Sequence, residues 1–157
     1  MLIYQIALSL IPGIGDINAK RLVAYCGGVE AVFTERKKAL LKIPGIGEAT
    51  VNSLVNHNVY PRVEKEIEFI EKYSIHHFFF LDEGYPVRLK QCVDSPLMLY
   101  YKGNVDINQP RIVSVVGTRR ATEYGKRITH DLIEGMSSLG VLVVSGLAYG
   151  IDTIAHK

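Results

Sequence analysis

Three features of the sequence predict an α/β protein, with a small all-helical part followed by the start of a parallel sheet flanked by helices. A pentapeptide occurs twice within the first 60 residues, each time between apolar runs of helical character. Residues 112–116 and 141–144 are continuous valine-rich runs of the kind buried on both faces of a sheet. Between them lies a segment with helical spacing, and each run stops at a glycine turn. Strand, glycine turn, helix is how a parallel α/β fold presents backbone N–H groups to a phosphate.

A chain of 157 residues makes one ordinary domain or two small ones, and 48% apolar residues suffice for a core. The expected division is a helical domain over residues 1–60 and an α/β domain over residues 61–157. The formal charge of +2 is too small to argue for any partner. Its distribution is more telling. Lys and Arg outnumber Asp and Glu by six to four in residues 1–60 and again in 111–157, whereas residues 61–110 have six against eight. Cys26 and Cys92 form no CxxC pair and read as two buried reduced thiols, which suits the cytoplasm. The first ten residues lack the basic start and cleavage site of a signal peptide, and no apolar run approaches the roughly 20 residues needed to span a bilayer.

In the first part, Ile11-Pro12-Gly13-Ile14-Gly15 returns 32 residues later as Ile43-Pro44-Gly45-Ile46-Gly47. Leu8 and Leu10 precede the first copy, and Leu40 and Leu41 the second. Asp16 or Glu48 then opens the following helix, where an acid suits the helix dipole. Each copy therefore predicts helix, Pro-Gly turn, helix. The glycines permit a tight hairpin and leave the next helix's first N–H groups facing solvent, where a phosphate can sit. Gly13, Gly15, Gly45 and Gly47 are the candidate contacts, with Lys20 and Arg21 adding charge. The competing reading is purely structural, because Asp16 and Glu48 put an anion beside each such site. Gly27-Gly28 ends one helix, and Arg36, Lys37 and Lys38 read as a solvated helix face.

Beyond Pro61, the residues Val63, Ile67, Ile70 and Tyr73 recur at helical spacing, predicting an amphipathic helix that docks on the following domain. Residues 75–81 and 97–101 read as strands, with a turn at 82–86 and a short helix from 87 to 92. His76 and His77 are adjacent and so point to opposite faces of a strand, and no histidine set suggests a metal site.

In the last part, Thr122 is placed to cap a helix carrying Ile128, Leu132, Ile133, Met136 and Leu139 inward. Gly140 ends it, and a second strand at 141–144 leads to Ser145-Gly146 and a further helix from Gly150. Two loops at the carboxyl ends of neighbouring parallel strands form the expected ligand edge. Gly117, Thr118, Arg119 and Arg120 come from one, and Ser145 and Gly146 from the other, with Lys126 and Arg127 in the next helix. Glycine N–H groups, a hydroxyl and guanidinium groups together make an anion pocket, and Tyr149 is available to stack on a base. Gly117 is followed by Thr-Arg-Arg rather than the dinucleotide fingerprint, and no Walker lysine is present, so no cofactor is expected.

These residues closely resemble the DNA-processing protein A (DprA, or Smf) family. The resemblance rests on residues 115–120 and 124–127, then on Ser145-Gly146-Leu147-Ala148-Tyr149-Gly150-Ile151-Asp152 with Ala155-His156. Tyr85-Pro86, Pro96-Leu97 and Lys102-Gly103-Asn104 add to it. The paired hairpins resemble the helix-hairpin-helix family, whose members bind DNA without sequence preference. The resemblance implies a Rossmann-like sheet and a non-catalytic protein of natural transformation and DNA recombination, which protects single-stranded DNA and helps load the RecA recombinase. It places the phosphate grip at Gly117, Thr118 and Arg119, with Ser145, Gly146 and Asp152 lining or shaping the same pocket. A full sheet needs more strands than follow residue 144, so the chain reads as the N-terminal portion of a longer protein. The family's homodimer and RecA contacts then lie largely outside it. Exposed edges and a thin core would favour non-native oligomers.

Two alternatives remain open from sequence. One is a nucleotide-binding or nucleotide-processing enzyme of a related Rossmann-like family, with Asp152 or Glu123 as its carboxylate. The other confines DNA binding to the helical domain.

Overall fold

The computed structural model describes residues 1–157, which divide into two compact units, 1–105 and 106–157. The fold is α/β.

The first unit begins with the repeated hairpins. α1 (Leu2–Leu10) and α2 (Asp16–Cys26) flank the first; α4 (Lys37–Leu40) and α5 (Glu48–Val55) flank the second, with α3 (Val29–Thr34) between. Equivalent positions bury equivalently. Leu8 and Leu40, Ile11 and Ile43, Ile14 and Ile46, Ala19 and Val51, and Leu22 and Leu54 are all buried. At about 1.5–3 kcal/mol for a fully buried large aliphatic side chain, this matched set is what makes the repeat fold. The turns match as well. Gly13 and Gly45 have φ +82° and +81°, a region only glycine enters without strain. Ile14 N–H donates to the Ile11 carbonyl at 3.2 Å and Ile46 N–H to Ile43 at 3.0 Å. The second helices also cross reciprocally. The Arg21 guanidinium lies over Gly45, and Ser53, the residue equivalent to Arg21, lies at Gly13, its hydroxyl 3.5 Å from where a β-carbon would sit.

The rest of this unit closes the same core. α6 (Tyr60–Lys72) begins with proline in its first turn and buries Val63 and Ile70. It packs on α1, not on a following domain as its amphipathic pattern suggested. Tyr73 falls outside the helix as its cap and is exposed. β1 (His76–Phe79) and β2 (Met98–Tyr101) pair antiparallel in the register His76 with Tyr101 and Phe79 with Met98. Between them, α7 (Val87–Lys90) follows a turn pinned by Tyr85, whose fully buried ring sends its hydroxyl to the Pro96 carbonyl at 2.7 Å. Phe79, Leu97 and Met98 join the same hydrophobic cluster as Ile6 and Leu22. The units therefore divide at 105/106 and not at the expected 60/61, because residues 61–105 complete the helical core. Cys26 is half-buried and Cys92 exposed; both are free, which corrects the expectation of two buried thiols for Cys92.

The second unit is a β-α-β-α sequence of β3 (Ile112–Ser114), α8 (Glu123–Ser138), β4 (Leu142–Val144) and α9 (Ile151–Ala155). β3 and β4 pair in parallel, Ile112 with Leu142 and Ser114 with Val144. Thr122 caps α8 by accepting from Gly125 N–H at 3.1 Å. Expected burial fails here. Val113, Val116, Val144, Ile128, Leu132 and Leu139 are all exposed, and the two buried side chains that are polar, Thr129 and Asp152, are the only ones the unit fully encloses. Two strands and two helices cannot cover both faces of a sheet, so the apolar surface that a buried parallel strand needs hidden stays open.

Candidate nucleic-acid interface

The two predicted loops of the second unit meet at the carboxyl ends of β3 and β4. Extension of the ladder brings them together: Val115 N–H donates to the Val144 carbonyl at 2.9 Å. The Ser145 hydroxyl then donates to the Val115 carbonyl at 2.6 Å, and Ile151 N–H to the Thr118 carbonyl at 3.2 Å. Three glycines make the fit possible. A β-carbon on Gly117 would stand 2.6 Å from Ile151 Cγ1, and one on Gly146 would stand 2.5 Å from Asp152 Oδ2. A β-carbon on Gly150 would overlap the Thr118 carbonyl and lie 2.8 Å from Arg119 Cα, and Gly150 has φ +85°. The far side is closed by His156, whose Nε2–H donates to the Gly146 carbonyl at 2.7 Å, and by Thr153, which donates to the Ala148 carbonyl at 2.9 Å.

What this leaves outward is cationic. Arg119 and Arg120 are exposed and in no ion pair; Arg120 N–H donates to the Thr118 hydroxyl at 3.2 Å, tightening the turn. Arg127 lies over the Tyr124 ring, its guanidinium carbon 5.7 Å from the centroid. Lys126 is 2.6 Å from Glu123 Oε1, so an incoming anion must compete with that carboxylate. Ser145 spends its proton on Val115, so it shapes the loop and keeps only acceptor lone pairs outward. Tyr149 and Leu147 are 83% and 96% exposed, available for stacking and apolar contact.

The hairpin glycines lie in the other unit. The first hairpin is tied down within it. Asp16 Oδ1 accepts from Leu97 N–H at 2.7 Å, and Lys20 donates to the Ser95 hydroxyl at 2.6 Å and the Val93 carbonyl at 3.3 Å. Lys20 and Asp16 thus anchor the approach to β2, a role that residue spacing alone does not reveal. The second hairpin has Arg21 over Gly45, and Gly47 opens α5 as its extended cap residue. No group of His, Cys, Asp and Glu is arranged to hold a metal, and no helix is long and apolar enough to cross a membrane.

A glycine-turned parallel edge with unpaired arginines in one unit, and a doubled hairpin in the other, define a protein of the α/β class. The family model of DNA recombination-mediator protein A matches residues 76–157, and the chain belongs to that family. Protein Smf of Synechocystis sp. is 32% identical over 163 residues, covering 98% of this chain and 40% of its own length. The DNA processing protein DprA of Streptococcus pneumoniae is 38% identical over 94 residues, covering 60% of this chain and 31% of that protein. The X-ray structure of DNA processing protein A (DprA) from S. pneumoniae superposes with a TM-score of 0.72 at 27% identity, covering 99% of this chain and 53% of that one. The chain thus spans less than half the length of these two relatives.

Proposed function

We propose that this chain binds single-stranded DNA without catalysis, holding the sugar-phosphate backbone at the two interlocked loops of the second unit. The observation that carries this reading is the meeting of the Gly117-Thr118-Arg119 turn with the Ser145-Gly146 turn, with the Arg119 and Arg120 guanidinium groups unpaired at the same edge. Phosphate oxygens are the natural ligands of turn N–H groups and of planar guanidinium forks. Lys126 and Arg127 extend the positive edge, and a base stacks on Tyr149. The glycines of the second hairpin offer a subsidiary phosphate contact. Gly13 and Gly15 contribute less, because the neighbouring Lys20 is engaged by the 93–95 segment. In the whole protein, the bound strand is protected in the cytoplasm during natural transformation and passed to the RecA recombinase.

The test is fluorescence anisotropy of a labelled oligonucleotide across a salt series. Each phosphate neutralised contributes roughly −0.7 to the log–log slope for a single strand. Arg119→Ala is expected to weaken binding and to reduce the slope by about that amount. Affinity that does not change between low and high salt would sink the proposal.

A further inference from the structure

A separate concave site lies in the first unit. It is a cleft of about 290 Å³ beneath the second hairpin copy. Buried Leu40 and Leu54 form its floor. One wall is aromatic: Phe33 meets His57 edge-on at 5.5 Å between centroids, and His57 meets Tyr60 at 5.1 Å. Glu35 and Lys37 also line it; Glu35 Oε1 accepts from Arg36 N–H at 2.8 Å, and Lys37 donates to Asn52 Oδ1 at 2.8 Å. His57 Nδ1 accepts from Val59 N–H at 3.5 Å, so the neutral ring keeps a proton on Nε2. Burial lowers the His57 pKa and favours that neutral form. Flanking Lys37 in sequence, Arg36 and Lys38 are exposed and in no ion pair.

The geometry points to a pocket for one unpaired nucleobase of a single-stranded nucleic acid, with the flanking phosphates running along Arg36 and Lys38. The cleft is at the small end of ligand sites, which span about 300–1,000 Å³. It therefore suits a flat ring and leaves the sugar and phosphates outside. An apolar floor and an aromatic wall meet the faces of a base, since every base has a π-face to stack. The Glu35 carboxylate and the Lys37 ammonium, both lining the cleft, supply an acceptor and a donor for a base edge. An aliphatic anchor from a protein partner would fill the floor but leave that charged pair without a counterpart. The adjacent Arg36 and Lys38 supply the charge complementarity that a phosphate backbone requires. This inference rests on the single-strand reading of the preceding section and adds a second point of attachment to it.

The test compares a labelled decathymidylate with a decamer of the same backbone lacking bases, using the full chain. Phe33→Leu keeps an apolar side chain and removes the stacking face. It is expected to weaken decathymidylate binding roughly 5- to 150-fold, the range of one lost base stack, and to leave the abasic strand unchanged. Lys37→Met, at an exposed position, is expected to act in the same direction without disturbing the core. In the unmodified chain, a strand carrying 5-iodouracil is expected to cross-link at Phe33, His57 or Tyr60. If the strand binds and Arg119→Ala weakens it, while Phe33→Leu and Lys37→Met have no effect and every cross-link falls in residues 106–157, the base pocket is refuted and the loop reading stands. If neither strand binds, both readings fall.

Discussion

Gly150 offers the sharpest test of how the loops of the second unit are built. Replacing it with alanine acts twice. Its φ of +85° with ψ −126° is a conformation essentially reserved for glycine, and holding another residue there costs about 1–3 kcal/mol. The new β-carbon would also overlap the Thr118 carbonyl and crowd the Arg119 backbone. Both obstacles are main chain, so no side chain can swing away, and overpacking of this kind costs about 1–3 kcal/mol more. The sum, roughly 2–6 kcal/mol, is large for a unit that encloses almost no apolar side chain. Gly135→Ala is the matched control. Gly135 lies inside α8 with open space where a β-carbon would go, so alanine should stabilise the helix by about 0.8–1 kcal/mol. Hydrogen exchange read by mass spectrometry on peptides from residues 112–155 separates the two. Gly150→Ala should speed exchange by at least about 30-fold, since each 1.4 kcal/mol is a factor of ten. Gly135→Ala should slow it. Unchanged exchange in Gly150→Ala, with Gly135→Ala slowed as expected, would mean that the two loops do not interlock through this glycine.

Two further outcomes concern the first unit. Tyr85→Phe leaves the part-buried Pro96 carbonyl without its donor, beside a fully buried ring. A loss of about 1–3 kcal/mol in urea unfolding is expected; a loss below about 0.5 kcal/mol would show that water replaces the hydroxyl. The second concerns pH. Burial depresses the His57 pKa below its usual value of about 6.5, in a site faced by Phe33 and Tyr60 with Glu35 and Lys37 also lining it. Below that usual value the unfolded chain takes up a proton that the folded chain resists. Stability contributed by neutral His57 is therefore complete above about pH 6.5 and declines on acidification beneath it. Melting temperature measured between about pH 5 and 7 should fall less steeply in His57→Gln than in the parent; parallel curves would discount the effect.

Sequence and structure agree best where local chemistry is strong. The doubled Ile-Pro-Gly-Ile-Gly stretch dictates its own turns because only glycine takes φ near +80° at Gly13 and Gly45. The isoleucines on either side are apolar at a spacing that must face inward. The glycine stops after the two valine-rich runs likewise located the loop edge, and Thr122 was recognisable as a cap from residue type and position. Less visible was the partner of each polar side chain. That Asp16 receives Leu97 N–H and Lys20 holds Ser95 depends on contacts across 81 and 75 residues of sequence. Those contacts turned one half of a symmetrical-looking repeat into an anchor. The aromatic cleft is not legible in the sequence for the same reason. Phe33, His57 and Tyr60 have no motif spacing, and only the packing of α3 beside the 57–60 corner puts their rings together.

The sequence alone determined the α/β class, the two hairpin copies and the residues at the arginine-bearing turn, because these rest on periodicity, glycine conformations and side-chain type within a few neighbouring residues. Tertiary structure decided where the units divide, which cations are already engaged and which stay unpaired. It also decided that Gly117, Gly146 and Gly150 are glycines because two loops must pass within contact of each other and of α9. Those outcomes depend on approach between segments far apart in the chain, and no local pattern of residues encodes the distance at which they meet.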